Sequence, residues 1–336
     1  MGNSQVTTPA DEQVQPLLDN LQTARAAIAA HVIGQEEVID QLLIALITGG
    51  HVLLEGAPGV GKTLLVRTIG RVTGLRFARI QFTPDLMPAD VTGSLALVPD
   101  DAGRMVARFQ SGPIFTQILL ADEINRATPK TQSALLEAMQ EGTVTAGGRT
   151  MDLPRPFFVL ATQNPLEMDG TYLLPEAQID RFLFKSLVRY PDLDALGAIL
   201  DLNTIAAPPA PEPVLAEGMV LRLQALVREM PLASHLRLAV AGFALDTQPD
   251  RAESPRAGRE ALRWGLSPRG AQALVLAAKG HALLHGRPAV GLADLRAVLL
   301  PVLRHRLLLT YQAEAEGVVA EDLITRLFAQ HAKAAA

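Results

Sequence analysis

A chain of 336 residues is long enough for about two domains, and 49% hydrophobic residues with only 4% aromatic ones indicate a globular core of aliphatic side chains. The absence of cysteine excludes disulfides and thiolate metal sites. The formal net charge is -5 and the basic residues are scattered among acidic ones, which disfavours nucleic-acid binding through one dominant basic surface.

The N-terminus lacks the features of a secretion signal. Residues 1 to about 14 are polar, so we expect a flexible tail there. The most apolar region, 42–54, is interrupted by two glycines and a histidine and is shorter than the ~20 residues that a membrane span needs. We therefore expect a cytoplasmic protein without stable membrane insertion.

Two helices and a strand are predicted before the first functional motif. Apolar residues recur at helical spacing from about 14 to 30 and from 36 to about 48, and 51–55 is typical of a strand. Between the helices, Val32 and Ile33 have two equally supported interpretations. They either contact an adenine base, as apolar residues upstream of the first strand often do in nucleotide sites, or they belong to the core.

Residues 56–63 fit the pattern G-x-x-x-x-G-K-[ST] at every fixed position. Glycines let the backbone curl so that N–H groups point at phosphate oxygens, and the following helix adds its positive end. Lys62 is expected to reach the β- and γ-phosphates, and Thr63 to supply a hydroxyl to Mg²⁺. The residues predicted to bind the nucleotide here are Gly56, Ala57, Pro58, Gly59, Val60, Gly61, Lys62, Thr63 and Leu64.

Strands then alternate with helices up to about residue 190. The predicted strands are 76–82, 118–121, 157–162 and 184–188, the predicted helices are 64–72 and 129–140, and hairpins are predicted at 94–109 and 144–151. This alternation predicts a mainly parallel sheet that is covered by helices on both faces.

Polar residues follow two of the predicted buried strands. Asp122 and Glu123 end the first of these strands, which puts both carboxylates beside the phosphate loop. Asp122 is expected to hold Mg²⁺, and Glu123 to orient and deprotonate the water that attacks the γ-phosphate. Asn164 follows the other strand and either hydrogen-bonds the γ-phosphate and this water or forms a plain Asn-Pro turn.

The class of nucleotide enzyme is narrowed by what the chain lacks. GTPases carry an Asn/Thr-Lys-x-Asp motif that reads the base, and this sequence contains none. Small-molecule kinases rarely need an acidic pair together with an Asn at a strand end. An ATPase that acts as a motor or a switch fits the motifs better.

The composition changes after Pro191. Residues 206–213 form a proline-rich connector, and the remainder is rich in Ala, Leu and Arg at helical period. This predicts a small all-helical domain. Within it, Ser267 can cap a helix whose first residue is Pro268, which places Arg269 in the first turn.

Five stretches of the chain resemble the MoxR family of AAA+ ATPases, and the resemblance spans about 32–190. They are 79–85, 112–115, 121–126, 130–139 and 174–182. The resemblance implies an α/β fold: a tail at 1–14, a P-loop AAA+ core at 15–190 with its parallel sheet between helices, and a helical lid domain at 191–336.

The resemblance also implies roles for the site residues. Lys62 and Thr63 belong to the first nucleotide motif, Asp122 and Glu123 to the second, and Asn164 is the first sensor. Arg181 matches an arginine finger that enters a neighbouring subunit's site, and its alternative is a surface ion pair with Asp180 or Glu176. Arg269 matches the second sensor, acting in its own subunit or across the interface. Arg126 and Arg149 are lesser candidates for contacts at that interface.

By this resemblance the expected protein hydrolyses Mg²⁺-ATP in a homo-oligomeric ring, a hexamer, and remodels or matures a client protein complex. Its expected partners carry a von Willebrand factor A domain, and its expected work includes metal-cofactor insertion. Two alternatives are a DNA-acting AAA+ motor and a nucleotide switch that does not hydrolyse ATP. His281 and His285 lie four residues apart but lack the glutamate of the zinc-protease pattern.

Overall fold

The computed structural model of the chain describes residues 9–101, 103–164, 171–204 and 209–334. Residues 1–8 of the expected tail and residues 205–208, which include the start of the expected connector, lie outside these ranges. So does the proline that follows Asn164, and with it the alternative of an Asn-Pro turn.

The described residues form helices and strands in the alternating order that was predicted. The helices are α1 (Pro9–Ala29), α2 (Glu36–Thr48), α3 (Lys62–Thr73), α4 (Pro88–Thr92), α5 (Pro129–Glu141), α6 (Glu176–Ile179), α7 (Leu193–Thr204), α8 (Glu217–Glu229), α9 (Ser234–Asp246), α10 (Arg256–Ala261), α11 (Pro268–Leu284), α12 (Leu292–Leu303), α13 (Tyr311–Ala315) and α14 (Ala320–Ala334). The strands are β1 (Val52–Glu55), β2 (Phe77–Gln81), β3 (Gly93–Pro99), β4 (Met105–Ser111), β5 (Ile118–Asp122), β6 (Thr143–Ala146), β7 (Arg149–Asp152), β8 (Phe158–Gln163), β9 (Phe184–Leu187), β10 (Leu262–Trp264) and β11 (Leu308–Leu309).

Five strands form the central sheet in the order β2-β5-β8-β1-β9, and all four neighbouring pairs are parallel. This confirms the predicted parallel sheet. Because parallel strands share one direction, the residues that follow β1, β5 and β8 all emerge at the same edge of the sheet. The two predicted hairpins, β3–β4 and β6–β7, are present and lie outside the sheet.

Helices cover both faces of the sheet. Successive residues of a strand point to opposite faces, so each strand contributes side chains to two separate hydrophobic clusters. In β1, Val52 and Leu54 pack into one hydrophobic cluster with α1, α2 and the C-terminal helices. Leu53 packs into a second cluster on the other face, with Leu135 and Leu136 of α5. The helices on each face therefore complete the sandwich that the apolar strands require.

The first helix begins earlier than predicted, at Pro9 and not near residue 14. Proline suits the first position of a helix, since its fixed φ is already helical and its missing N–H would have no partner there. Residues 9–13 contain no large apolar side chain, so no apolar period marks this start in the sequence.

The C-terminal region is a helical lid, as predicted, with one exception to an all-helical domain. β10 and β11 pair antiparallel as a two-stranded ribbon. Strands of three and two residues are too short for an alternating pattern to be visible in the sequence. The lid packs directly on α2, where Gly280 of α11 lies against Ile44 and Thr48.

No helix in the described part of the chain has the length and apolar character that crossing a bilayer requires.

His51, just before β1, is buried in the interior with both ring nitrogens bonded. Its Nδ1 accepts the N–H of Val159 at 3.1 Å, and its Nε2 lies 3.2 Å from the carbonyl oxygen of Met139. A carbonyl oxygen can only accept, so Nε2 carries the hydrogen and the ring is neutral. The pKa of His51 is lowered from 6.5 to about 4, mainly by burial and to a smaller extent by the positive charge of Arg269.

We expect this histidine to make the fold sensitive to acid. The unfolded chain binds the proton more tightly, so stability is retained above pH 6.5 and lost as the pH falls toward 4. Between pH 7 and pH 5 the loss from His51 is about 2 kcal/mol. Urea unfolding at both pH values should show a smaller loss for His51→Gln, whereas the exposed His235→Gln should behave as wild type. Equal pH dependence in wild type and His51→Gln would contradict the prediction.

Candidate functional site

The phosphate loop joins β1 to α3 and leaves an open cradle. Gly59 and Gly61 have φ values of +82° and +84°, a backbone conformation that favours glycine, and no atom lies within 4 Å of where either Cβ would be. Gly61 precedes the first residue of α3, so the N–H groups of the first helical turn face this space. The loop therefore has the room and the donors that an anion such as a phosphate needs.

Gly56 is required for a different reason, which is close packing. A Cβ at this position would lie 2.5 Å from the carbonyl oxygen of Val188. We expect Gly56→Ala to displace the loop and to cost ~1 to 3 kcal/mol of stability, measured by thermal or urea unfolding. Gly197→Ala, in the exposed middle of α7 with nothing within 4 Å, is the matched control and should stabilise slightly. A Gly56→Ala protein as stable as wild type would show that the loop moves without cost.

Lys62 connects the loop to the neighbouring strand. Its Nζ donates to the carbonyl oxygen of Gly56 at 2.7 Å and to that of Gln163 at 3.4 Å. Gln163 is the last residue of β8, and Asn164 follows it and is buried. The ammonium and the carboxamide therefore lie at the same edge of the sheet, as the sequence predicted for residues that follow parallel strands.

Asp122 ends β5 at this edge and is held by two neighbours. Thr162 of β8 donates its hydroxyl to Oδ1 at 2.6 Å. Arg79 of β2 donates to Oδ2 from Nε at 3.1 Å and from Nη2 at 2.7 Å. The carboxylate is consequently fixed in orientation, and its nearest cation in the described chain is an arginine that the sequence analysis did not single out.

Glu123 has a left-handed backbone, with φ 56° and ψ 50°, which is strained for a residue with a side chain. Its backbone N–H donates to the hydroxyl of Thr162 at 2.9 Å. Its Oε2 accepts from Gln81 Nε2 at 2.7 Å and from Arg126 Nη1 at 3.1 Å. These bonds keep the carboxylate at the mouth of the site in spite of the strained backbone.

A cavity of about 540 Å³ opens beside the phosphate loop. Val32 and Ile33 line it, and Val32 also belongs to the hydrophobic core. Tyr190, which follows β9, also lines the cavity and is exposed. From the loop region the lining includes Gly59, Val60, Gly61 and Leu64. The walls are mainly apolar, as a site for a planar base requires.

Arg181 and Arg269 lie at the other end of the sheet. Arg181 precedes β9, whose first residue, Phe184, pairs with Val52, whereas the phosphate loop follows Glu55 at the far end of the same strands. About 10 Å of β1 separates these two ends. Arg269 precedes Gly270, which packs against Arg306, and Arg306 bonds the backbone of 180–183 that leads into β9. Neither arginine is on the side of the sheet edge that carries Lys62.

The carboxylates that could have paired with Arg181 are already occupied. Asp180 forms an ion pair with Arg306 at 2.7 Å, and Glu176 forms one with Arg263. Arg181 Nε is buried and has no hydrogen-bond partner among the described residues. The surface ion pair considered as the alternative for Arg181 is therefore absent. Of the two lesser candidates, Arg126 contacts Glu123, and Arg149 is exposed at the start of β7.

Four residues of this region were missed in the sequence: Arg79, Gln81, Thr162 and Tyr190. Arg79 and Gln81 are polar residues of β2, in which polar and apolar residues alternate. Thr162 is a residue of β8 and stands two positions before Asn164. Arg79, Gln81 and Thr162 are all polar residues near the carboxyl end of a strand next to β5. Inspecting such residues in the sequence would have identified these three. Tyr190 gives no comparable signal, because it follows its strand as an exposed residue.

The fold and this edge define a P-loop ATPase of the AAA+ class, and comparison with known proteins agrees. The AAA family described as "ATPase family associated with various cellular activities" matches residues 51–184, and the AAA lid domain matches 256–327. A crystal structure of a candidate ATPase from Cytophaga hutchinsonii superimposes with a TM-score of 0.87. It is 36% identical and covers 95% of this chain and 96% of that one.

Relatives of known name narrow the class further. Chaperone MoxR1 of Mycobacterium tuberculosis is 43% identical over 88% of this chain and 78% of its own length. Protein MoxR of Paracoccus denitrificans is 35% identical over 88% and 91%. YeaC of Bacillus subtilis, an uncharacterised protein, is 42% identical over 94% of each chain. The chain belongs to the MoxR family of AAA+ ATPases.

Proposed function

We propose that this protein hydrolyses ATP at a site that two subunits complete. The observation that carries the proposal is the separation of charges along the sheet. Lys62, Asp122 and Glu123 gather at the carboxyl ends of the strands, while Arg181 lies at the amino ends with a buried guanidinium nitrogen that has no partner among the described residues. Each subunit therefore carries the phosphate-binding half of a phosphoryl-transfer site at the carboxyl ends of its strands and the arginine half at the amino ends.

The phosphate loop and its surroundings fit ATP with magnesium. The open cradle at Gly59 and Gly61 suits the phosphates, and the apolar cavity beside it suits the adenine. A hydroxyl from Thr63 and a carboxylate from Asp122 are the hard oxygen donors that Mg²⁺ prefers. When bound, the ion supplies positive charge to the phosphate oxygens.

Glu123 is the proposed general base of the reaction. The carboxylate takes a proton from water while Asn164, which is buried and follows β8, the strand next to β5, holds that water by its amide. Gln81 and Arg126 both contact Oε2 and keep the carboxylate oriented. Lys62 stabilises the charge on the phosphates that it reaches.

Arg181 and Arg269 are proposed to act on the nucleotide of the next subunit. Both lie at the end of the sheet opposite their own phosphate loop, so they are placed to serve a neighbour. A head-to-tail interface of this kind closes into a ring, and we propose a hexamer. The family resemblance leaves open whether Arg269 acts in its own subunit or across the interface, and the placement of both arginines favours action between subunits.

The work done by this cycle is proposed to be the remodelling or maturation of a client protein complex in the cytoplasm, with metal-cofactor insertion as one form of it. Support comes from relatives, one of which is named as a chaperone. Partners with a von Willebrand factor A domain are proposed on the family resemblance. The DNA-acting alternative is less favoured, because Arg104, at the first hairpin tip, is paired with Asp100 at 2.8 Å.

The decisive experiment is the ATPase rate per subunit as a function of protein concentration, with Glu123→Gln as the blank. A rate that rises and then saturates supports a site completed between subunits. A rate independent of concentration requires a mass measurement at the lowest dilution: a preformed ring is compatible with the proposal, and an active monomer overturns it. No activity above the blank, alone or with candidate partners, would leave a nucleotide switch.

A further inference from the structure

Three consecutive residues of the lid, 304–306, form hydrogen bonds to the core segment that carries Arg181. We call them the lid clasp; they lie between α12 and β11. Arg304 Nη1 donates to the carbonyl oxygen of Lys185 at 3.1 Å, and His305 Nε2 donates to that of Phe182 at 3.0 Å. The lid is thus hydrogen-bonded to the backbone where β9 begins.

Arg306 makes the most contacts of the three. Its Nε donates to Asp180 Oδ1 at 2.7 Å, and Nη2 donates to the carbonyl oxygens of Asp180 at 3.1 Å and Phe182 at 2.7 Å. Nη1 donates to the carbonyl oxygen of Leu183 at 3.1 Å and also to that of Val302. A guanidinium has five N–H donors, and each of them has an acceptor here.

Because all five of its N–H donors are bonded, Arg306 differs from an arginine in an ordinary surface ion pair. The side chain of Arg306 is only 3% exposed. Burying a charged group costs several kcal/mol unless it is both paired and hydrogen-bonded, and Arg306 is both. Four of the five acceptors belong to the core segment 180–183, so the guanidinium holds that segment in one shape.

Arg181 lies in the middle of the gripped segment, between Asp180 and Phe182. The clasp binds the backbone or side chain of both flanking residues and leaves the Arg181 side chain untouched. No hydrogen bond holds Arg181 Nε among the described residues, so the position of this side chain depends on the backbone that carries it. Whatever fixes that backbone also aims the guanidinium.

We propose that Arg306 is the positioning residue of the arginine finger, and that it locks the finger of the core to the lid of the same subunit. This inference rests on the proposed function of Arg181. Arg269 of the lid lies near the clasp, because a Cβ on the next residue, Gly270, would be only 3.0 Å from Cδ of Arg306. The clasp therefore holds Arg181 and Arg269 in one fixed arrangement that faces the neighbour's nucleotide.

The test is the full-length Arg306→Lys variant, assayed for ATP hydrolysis at concentrations where the wild-type rate is saturated. Lysine keeps the charge beside Asp180 but is a point donor without the planar fork, so it releases most of the backbone carbonyls. A displacement of about 1 Å costs ~10²-fold in rate, and we expect a loss of kcat of that order. The KM for ATP should not change, because a displaced finger is lost from the transition state and not from the binding of ATP in the ground state.

Mixing subunits separates positioning from a general structural defect. Glu123→Gln subunits cannot hydrolyse ATP by the proposed mechanism, but they carry an intact clasp and finger. Added to Arg306→Lys subunits, they should restore the rate per Arg306→Lys subunit, because each rescued site receives its finger from the neighbour. A defect within the variant's own site would show no such rescue.

A milder variant and a matched control complete the experiment. Asp180→Asn removes the ion pair but keeps an acceptor, and we expect a smaller loss of kcat that is rescued in the same way. Arg263→Lys changes another lid arginine that binds a core carboxylate, Glu176, and should leave kcat at the wild-type value.

The outcomes are distinguishable. An inactive wild type overturns the proposed function and this inference with it. If wild type is active and Arg181→Ala is inactive, the inference alone is overturned in three cases: wild-type kcat in both clasp variants, a loss that mixing does not rescue, or failure of both variants to fold, which would make Arg306 a residue of folding only.

Discussion

Glu123→Gln is expected to abolish ATP hydrolysis and to leave ATP binding intact. Loss of a general base costs ~10²- to 10⁴-fold in rate. The amide of glutamine cannot take a proton from water, but its oxygen can still accept hydrogen bonds from Gln81 and Arg126, which now reach Glu123 at 2.7 and 3.1 Å. The surrounding geometry is therefore retained, and the phosphate loop is unaffected.

The measurement is phosphate release together with the affinity for a fluorescent ATP analogue. Glu141→Gln, an exposed change of the same chemistry at the end of α5, is the control and should hydrolyse ATP as wild type does. Hydrolysis by Glu123→Gln at the wild-type rate would exclude this carboxylate as the base. Loss of binding would show instead that it supports the nucleotide.

Arg181→Ala is expected to lower the rate of hydrolysis by ~10³- to 10⁵-fold, the range found for arginine fingers in other NTPases. No described acceptor is bonded to Arg181 Nε, so removing the side chain should change stability little. The affinity for ATP should also be unchanged, because an arginine finger stabilises charge that develops in the transition state and not in bound ATP.

Activity of the Arg181→Ala protein should return when Glu123→Gln subunits are added, since each inactive protein supplies what the other lacks. Arg228→Ala, an exposed lid variant, should need no such partner. If addition of Glu123→Gln subunits leaves Arg181→Ala silent, the guanidinium does not act between subunits. A mutant that retains wild-type activity on its own would remove Arg181 from the mechanism.

The parts of this site that the sequence predicts are those encoded by contiguous residues. The phosphate loop at 56–63 is a local pattern between a strand and a helix, and the acidic pair at 122–123 directly ends an apolar run. Parallel strands bring their ends to one edge whatever their order, so the neighbourhood of Lys62 and Asn164 also follows from local signals.

The parts that were missed depend on which strands become neighbours. Arg79 and Gln81 reach the acidic pair only because β2 pairs with β5, where Gln81 stands opposite Asp122. Alternation shows that these two side chains are polar and lie on one face of a strand, but it does not show what they face. Arg306 is a stronger case: it meets Asp180 across 126 positions of sequence, and no local pattern connects them.

The direction in which Arg181 acts was also beyond the sequence. Its motif identifies the residue type and the strand that follows. Only the parallel register of β1 with β9 places it at the end opposite the phosphate loop. A side chain's role between subunits is a property of the assembled sheet, which a linear motif cannot specify.

At Glu123 the backbone conformation lowers the stability of the fold, while the side chain is the proposed general base. Its φ of 56° is the only positive value found at a described residue other than glycine. This conformation costs a side-chain-bearing residue ~1 to 2 kcal/mol that glycine would not lose. A laboratory selection for heat resistance alone would therefore accumulate Glu123→Gly. The selected variants would unfold at a higher temperature but would lack the proposed base. Thermal screening of this protein therefore needs an assay of ATP turnover beside it.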